Sequence, residues 1–269
     1  MTRIRPAAAV LIAAVLLLAG CAAPEQPTAS DGFPAGAGVD YQLGGAYPPP
    51  AGVGIVARDS TAEPADGVWS ICYVNGFQTQ PGELARWDDD LTLHDAAGDA
   101  VADPGWPDEL LLDTSDAAKR ERIADVLAED LERCADSGFD AVEFDNLDSF
   151  TRAPELLTAD DNLALATLLV AQVHAHGLLA GQKNTAELTA RLHVEVGFDF
   201  AVAEECVAFA ECGAYTSVYG DAVIDIEYSD EPGTTLEAVC ADAERPASTV
   251  LRDRDLVAVG EPGYVFGAC

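Results

Sequence analysis

The sequence predicts an α/β protein whose single folded domain is a (β/α)₈ TIM barrel, preceded by an export leader and a flexible tether. Three observations carry that prediction. Val- and Ile-rich runs recur from Val39 onward as near-continuous apolar stretches, the pattern of parallel strands buried on both faces. Between several of them lie segments with one apolar face at 3.6-residue spacing. Three of the runs, "AVEFDN", "FAVAEE" and "AVIDIEY", end on carboxylates, and strand ends are where such a barrel gathers its chemistry.

Taken in order, the chain opens with "MTRIRPAAAVLIAAVLLLAGC", where Arg3 and Arg5 precede an apolar run and Leu18-Ala19-Gly20-Cys21 forms a lipobox. This is the layout of a lipoprotein signal peptide over 1–20, with Cys21 as the lipidated new N-terminus. The run is too short to span a bilayer comfortably, so the protein is expected to be exported and lipid-anchored to the outer face of the cell membrane. Residues 21–38 are small, polar and rich in Pro and Gly, a tether with nothing to bury. The barrel is then expected over 39–269, with strands at 40–44, 54–59, 69–75, 141–146, 178–184, 200–205, 222–228 and 248–253. The clearest helix, "SDAAKRERIADVLAEDLERCADSG", takes Ser115 as its cap and Gly138 as its stop, and aligns Ile123, Val126, Leu127, Leu131 and Cys134 on one face. "TADDNLALATLLVAQVHAHG" repeats the design between Thr158 and Gly177. The irregular stretch 75–115 is long enough to cover a barrel mouth, and its Trp87 and Trp106 are candidate sugar-stacking platforms.

Six cysteines follow Cys21, and an even number in an exported chain reads as disulfides. Proximity along the chain favours Cys206–Cys212, Cys240–Cys269 and Cys72–Cys134 among the fifteen pairings that six cysteines allow. The formal charge is −33, and losing Arg3 and Arg5 with the leader brings it to about −35. Such a surface excludes nucleic acid as a partner and would attract a polycation, such as a sugar polymer carrying free amines. Solubility, or adaptation to salt, in a lysine-poor chain is the simpler account of the charge.

Side chains alternate along a strand, so Glu143 and Asp145 point the same way. With Glu204 and Glu227 ending the sixth and seventh strands and Lys183 the fifth, four carboxylates and one lysine are expected to line one cavity. Asp40, Tyr41 and Gln42 on the first strand, Tyr73 and Asn75 on the third, and Asn184 complete the expected substrate-binding set. Acids crowded in this way acquire separated pKa values, as glycosidic cleavage requires of its two carboxyl groups.

The segments "DYQLGG", "GFDAVEFDNLDSF", "GLLAGQKN", "FDFAVAEEC" and "VIDIEY" resemble glycoside hydrolase family 114 in matching order across 39–253. That family includes endo-α-1,4-polygalactosaminidases built as (β/α)₈ barrels. The resemblance implies cleavage of α-1,4 links in galactosamine-containing polysaccharide without a cofactor. It also implies Asp145 as nucleophile or base, Glu204 as general acid, and Glu227 as a third matching acid. Phe144 and Ala203 stand where the family pattern has Pro and Asn, beside the chemistry and bearing on fine specificity. A non-catalytic carbohydrate-binding barrel and a glycosidase for another wall or matrix glycan are the alternatives.

Other motifs point nowhere. "GVGIVA" opens a strand where a dinucleotide loop must follow one. His174 and His176 stand two apart on a helix and face different ways, "DNLDS" lacks the calcium-loop grammar, and no nucleophile elbow occurs. No metal is expected, and a monomer is.

Overall fold

The structure, a computed structural model, describes Met1–Thr2 and residues 32–269. Cys21, the leader and most of the tether lie outside the described residues. Nine strands form one sheet in chain order: β1 (Gly38–Tyr41), β2 (Val53–Asp59), β3 (Trp69–Asn75), β4 (Ala141–Asp145), β5 (Leu179–Lys183), β6 (Phe200–Glu204), β7 (Val223–Tyr228), β8 (Ser248–Arg252) and β9 (Phe266–Ala268). Neighbours from β1 to β8 pair in parallel, and β9 pairs antiparallel with β8. The sheet curls into the expected TIM-type barrel.

Its details depart from eight regular β/α units. The β1–β2 and β2–β3 connections carry no helix, because they are short and interrupted by "YPPPAG" and "AEPADG". Helices cover the barrel from β3 onward: α1 (Ala117–Ser137), α2 (Ala159–Ala175), the single turn α3 (Thr189–Arg191) continued by a π-helical turn (Leu192–Val196), α4 (Cys212–Tyr219) and α5 (Leu236–Ala241). Asp116, not Ser115, caps α1, its carboxylate accepting from the Ala118 and Lys119 amides, while Ser115 donates to Asp113. Gly138 closes α1 in the left-handed conformation that a side chain would strain (φ 91°). Thr158 caps α2 in a reciprocal box with Asp161, as expected. β1 stops at Tyr41, three residues short of the expected end, as the chain turns away to bridge Gly44 with Val257.

The floor of the barrel is an aromatic plug. Phe33 packs its ring 5.3 Å from both Trp69 and Phe200, the first residues of β3 and β6. Phe33 is buried, so the fold begins inside the segment expected to be tether. Gly181 on β5 is glycine because a Cβ there would stand 2.5 Å from the Phe200 ring.

β8 and β1 complete the circle without a backbone ladder. Fully buried Arg252 fills that seam: it donates to Asp40 Oδ1 (2.9 Å), to the Tyr41 carbonyl, and to the Val257 and Val265 carbonyls (3.0 and 2.9 Å). Three disulfides pair as expected: Cys72–Cys134 ties β3 to α1, Cys206–Cys212 closes the loop after β6, and Cys240–Cys269 holds α5 to the chain end. Among the described residues, no helix is long and apolar enough to cross a membrane.

Candidate active site

The C-terminal strand ends surround a cavity of about 460 Å³, within the range of small-ligand sites. At its base Lys183 is almost completely buried, with its Nζ 3.3 Å from Glu204 Oε2, 3.6 Å from Asp145 Oδ1 and 3.2 Å from the Tyr41 hydroxyl. The Tyr41 hydroxyl donates in turn to Glu143, one layer deeper. Tyr73 donates to Asp145 Oδ2 (2.8 Å). Tyr228 donates to Glu204 Oε1, and the Asn184 amide to Glu204 Oε2 (2.8 Å). Alternation does this work: Tyr41, Tyr73, Glu143, Asp145, Lys183, Glu204 and Tyr228 all sit at inward positions of their strands.

The residues just beyond these strand ends are bent. Asn146, Asn184 and Glu205, following Asp145, Lys183 and Glu204, adopt left-handed backbone (φ 64°, 47° and 61°). Asparagine tolerates that conformation, whereas at Glu205 it costs about 1 kcal/mol. Each bend ends the strand at its functional side chain and turns the next residue to the rim.

One ammonium facing three acids divides their proton affinities. Burial lifts the Glu143 carboxyl to about 7, against the opposing pull of Lys183 and the Tyr41 hydroxyl, with Asp145 and Glu204 adding to the rise. Burial also works to raise Glu204, but Lys183, Tyr228 and Asn184 outweigh it and hold that carboxyl below its ordinary value. For Lys183, burial opposes the charge and the carboxylates of Asp145, Glu204 and Glu143 more than restore it. Burial first, and Asp145 second, keep the Tyr73 hydroxyl protonated far into the alkaline range.

Four expected residues lie elsewhere. Asp40 and Gln42 alternate out of phase with Tyr41; Asp40 takes Arg252 in the seam, and Gln42 accepts from Arg58 Nε (3.0 Å). Glu227 is likewise one position out of phase and accepts the Val207 and Ala208 amides (2.9 and 3.4 Å). So three carboxylates from strands converge, not four. Asn75 lies behind the wall, its amide donating to Glu109 Oε2 and its oxygen accepting from Asn146. Trp87 is a packing residue, buried with the Arg86 guanidinium over its ring, whereas Trp106 is 62% exposed at the cavity rim. Of the two histidines, His174 pairs with Asp199 at 2.8 Å. The metal-like cluster found among the described residues, Cys206, Cys212 and Asp225, has its sulfurs joined in a disulfide.

Loops add lining absent from the expected set, Glu109, Asn146, Asp148, Arg152, Glu205 and Arg254, and the last residue of β7, Tyr228, adds to it. Tyr228 was within reach, as it stands two residues, hence one alternation, beyond Ile226. Glu109 lies in "PGWPDE", inside the connection expected to cover the mouth.

A family model for glycoside hydrolase family GH114 matches residues 21–269. Among solved structures, the chain is similar to Aspergillus fumigatus Ega3 in complex with galactosamine, with a TM-score of 0.70 and 22% identity over 90% of this chain and 99% of that one. It is similar also to the glycoside hydrolase domain of PelA from Pseudomonas aeruginosa (TM-score 0.54, 16% identity, 83% and 97% covered). A maltogenic α-amylase, AmyB of Thermotoga neapolitana, follows at TM-score 0.51 and 11% identity, over 85% and 72%. At such identities these likenesses establish the fold. No curated protein matches the chain.

Proposed function

The chain belongs to glycoside hydrolase family GH114, and from that premise we propose that it is an endo-acting enzyme cleaving α-1,4 links in galactosamine-containing polysaccharide, with Asp145 and Glu204 as its working carboxylates. The carrying observation is that both acids share the single ammonium of Lys183 at the base of the cavity. The family, and the galactosamine in the Ega3 complex, support the choice of sugar.

Asp145 acts as nucleophile: its carboxylate attacks the anomeric carbon while Tyr73 and Lys183 keep it aimed. Glu204 protonates the departing glycosidic oxygen, then takes a proton from the water that releases the sugar. In the free site Glu204 is held as carboxylate by its three donors. Its proton therefore arrives as substrate covers it, when displaced water makes the charged form costlier. A double displacement of this kind returns the first product with the α configuration kept.

The test is reducing-end release from α-1,4-galactosamine polymer by parent, Asp145→Asn and Glu204→Gln. Each variant should lose about a hundredfold or more. An aryl glycoside with a good leaving group separates the roles, since it needs no acid. Glu204→Gln should recover much of its rate there and Asp145→Asn should not. Equal losses on both substrates would remove the role assignment, and release that survives both substitutions would place the chemistry elsewhere.

A further inference from the structure

Among the described residues, three cations reach the cavity, and each is already engaged. Lys183 holds Asp145 and Glu204. Arg152 holds Asp103 and Asp148. Arg254 holds Glu205, Asp230 and Glu231. Glu109 lines the same wall, is partly buried, and has no cation partner among the described residues. Its Oε2 accepts the Asn75 amide at 3.1 Å, while its Oε1 accepts no hydrogen bond among them. Asp255, also without a cation, is exposed and screened by water.

Glu109 is not alone on its turn. Its amide donates to the Trp106 carbonyl at 2.9 Å, so one tight turn presents an exposed indole and a carboxylate to one cavity. An indole face takes the C–H face of a pyranose, and a carboxylate takes an ammonium.

Resting on the function proposed above, we propose that the Trp106–Glu109 turn is the subsite that selects a free-amine sugar, with Glu109 binding the C2 ammonium and Trp106 carrying the ring. Glu109 thereby separates galactosamine from its N-acetyl form, whose neutral acetamide gives a carboxylate nothing to neutralise. The electrostatics agree. Burial lifts the Glu109 carboxyl to about 7, Asp145 and Asp103 add to the rise, and the Asn75 amide and Arg152 oppose it. A bound ammonium reverses that rise, so free-amine sugar binds with release of a proton near neutral pH.

Calorimetry with α-1,4-galactosamine oligosaccharides and their fully N-acetylated counterparts tests this on Glu204→Gln protein, which binds without turnover. Adding Glu109→Gln, which can still accept from Asn75, should weaken the free-amine ligand about tenfold or more. It should also abolish the proton release and leave the N-acetyl ligand within about twofold. Trp106→Ala should weaken both ligands alike. Equal weakening of both by Glu109→Gln, or none of either, overturns the assignment and leaves the proposed function standing. Parent protein that binds neither ligand and cleaves no galactosamine polymer overturns both.

Discussion

Glu143 is the residue on which the electrostatics of the site turn. It is fully buried, its Oε2 has no hydrogen-bond partner among the described residues, and its carboxyl rises from an ordinary 4.5 to about 7. A raised carboxyl pKa means that the folded state binds the proton more tightly than the unfolded chain does. Stability is therefore full below 4.5, falls as pH rises toward 7, and has lost about 3 kcal/mol above it. Glu143→Gln keeps the acceptor for Tyr41 and removes the charge. It should melt above the parent at pH 8, with the difference vanishing near pH 4.5. Parallel melting curves across that window would show that Glu143 is ionised without cost. Above pH 7 catalysis should suffer all the same, because the charge removed is one of the three that hold the Lys183 ammonium in the site. The acids themselves could be read from the sequence, since alternation alone puts Glu143 and Asp145 on one side. Their division of proton affinity could not, because it depends on a lysine and two tyrosines from other strands.

At the scale of elements, most strands and both long helices are legible because each repeats a local rule: a continuous apolar run, a 3.6-residue stripe, a cap, a stop. What failed did so for equally local reasons. Asp40, Gln42 and Glu227 belong to the right segments but to the wrong phase, one residue from an inward position. β9 is three residues long and pairs antiparallel, too brief to leave a pattern. Gly181 shows an element tuned to its neighbour. A methyl group there would meet the Phe200 ring at 2.5 Å, and that ring belongs to the plug under the site. Gly181→Ala should destabilise by about 1–3 kcal/mol and lower the thermal midpoint by several degrees. Unchanged melting would mean that the plug yields without strain.

For the whole molecule, the question is how a barrel of short strands stays closed and where it works. The closing contact is ionic and polar: Arg252 spans the β8–β1 seam, meets Asp40 with both side chains fully buried, and takes three backbone carbonyls besides. A buried charge pair holds only when its remaining hydrogen bonds are satisfied, and here the seam's own carbonyls satisfy them. Disulfides at both flanks suit an oxidising compartment, as the expected export leader would require. We propose that Cys21 carries a lipid and anchors the enzyme outside the cell. Cys21→Ser should move activity from the membrane fraction to the medium, and activity that stays with membranes would remove the anchor.

The sequence by itself determined the barrel class, favoured one set of disulfide partners by proximity, and through its family resemblance pointed to the two carboxylates on which the proposed chemistry rests. The barrel class follows from rules that act within a strand or a helix, where spacing alone fixes direction. Only the tertiary structure decided which acids share a cation, that Asp40 belongs to a seam, and that Glu109 faces the cavity without a counter-charge among the described residues. Pairing of charges depends on distances between strands and loops far apart in the chain, and neither periodicity nor composition records those distances.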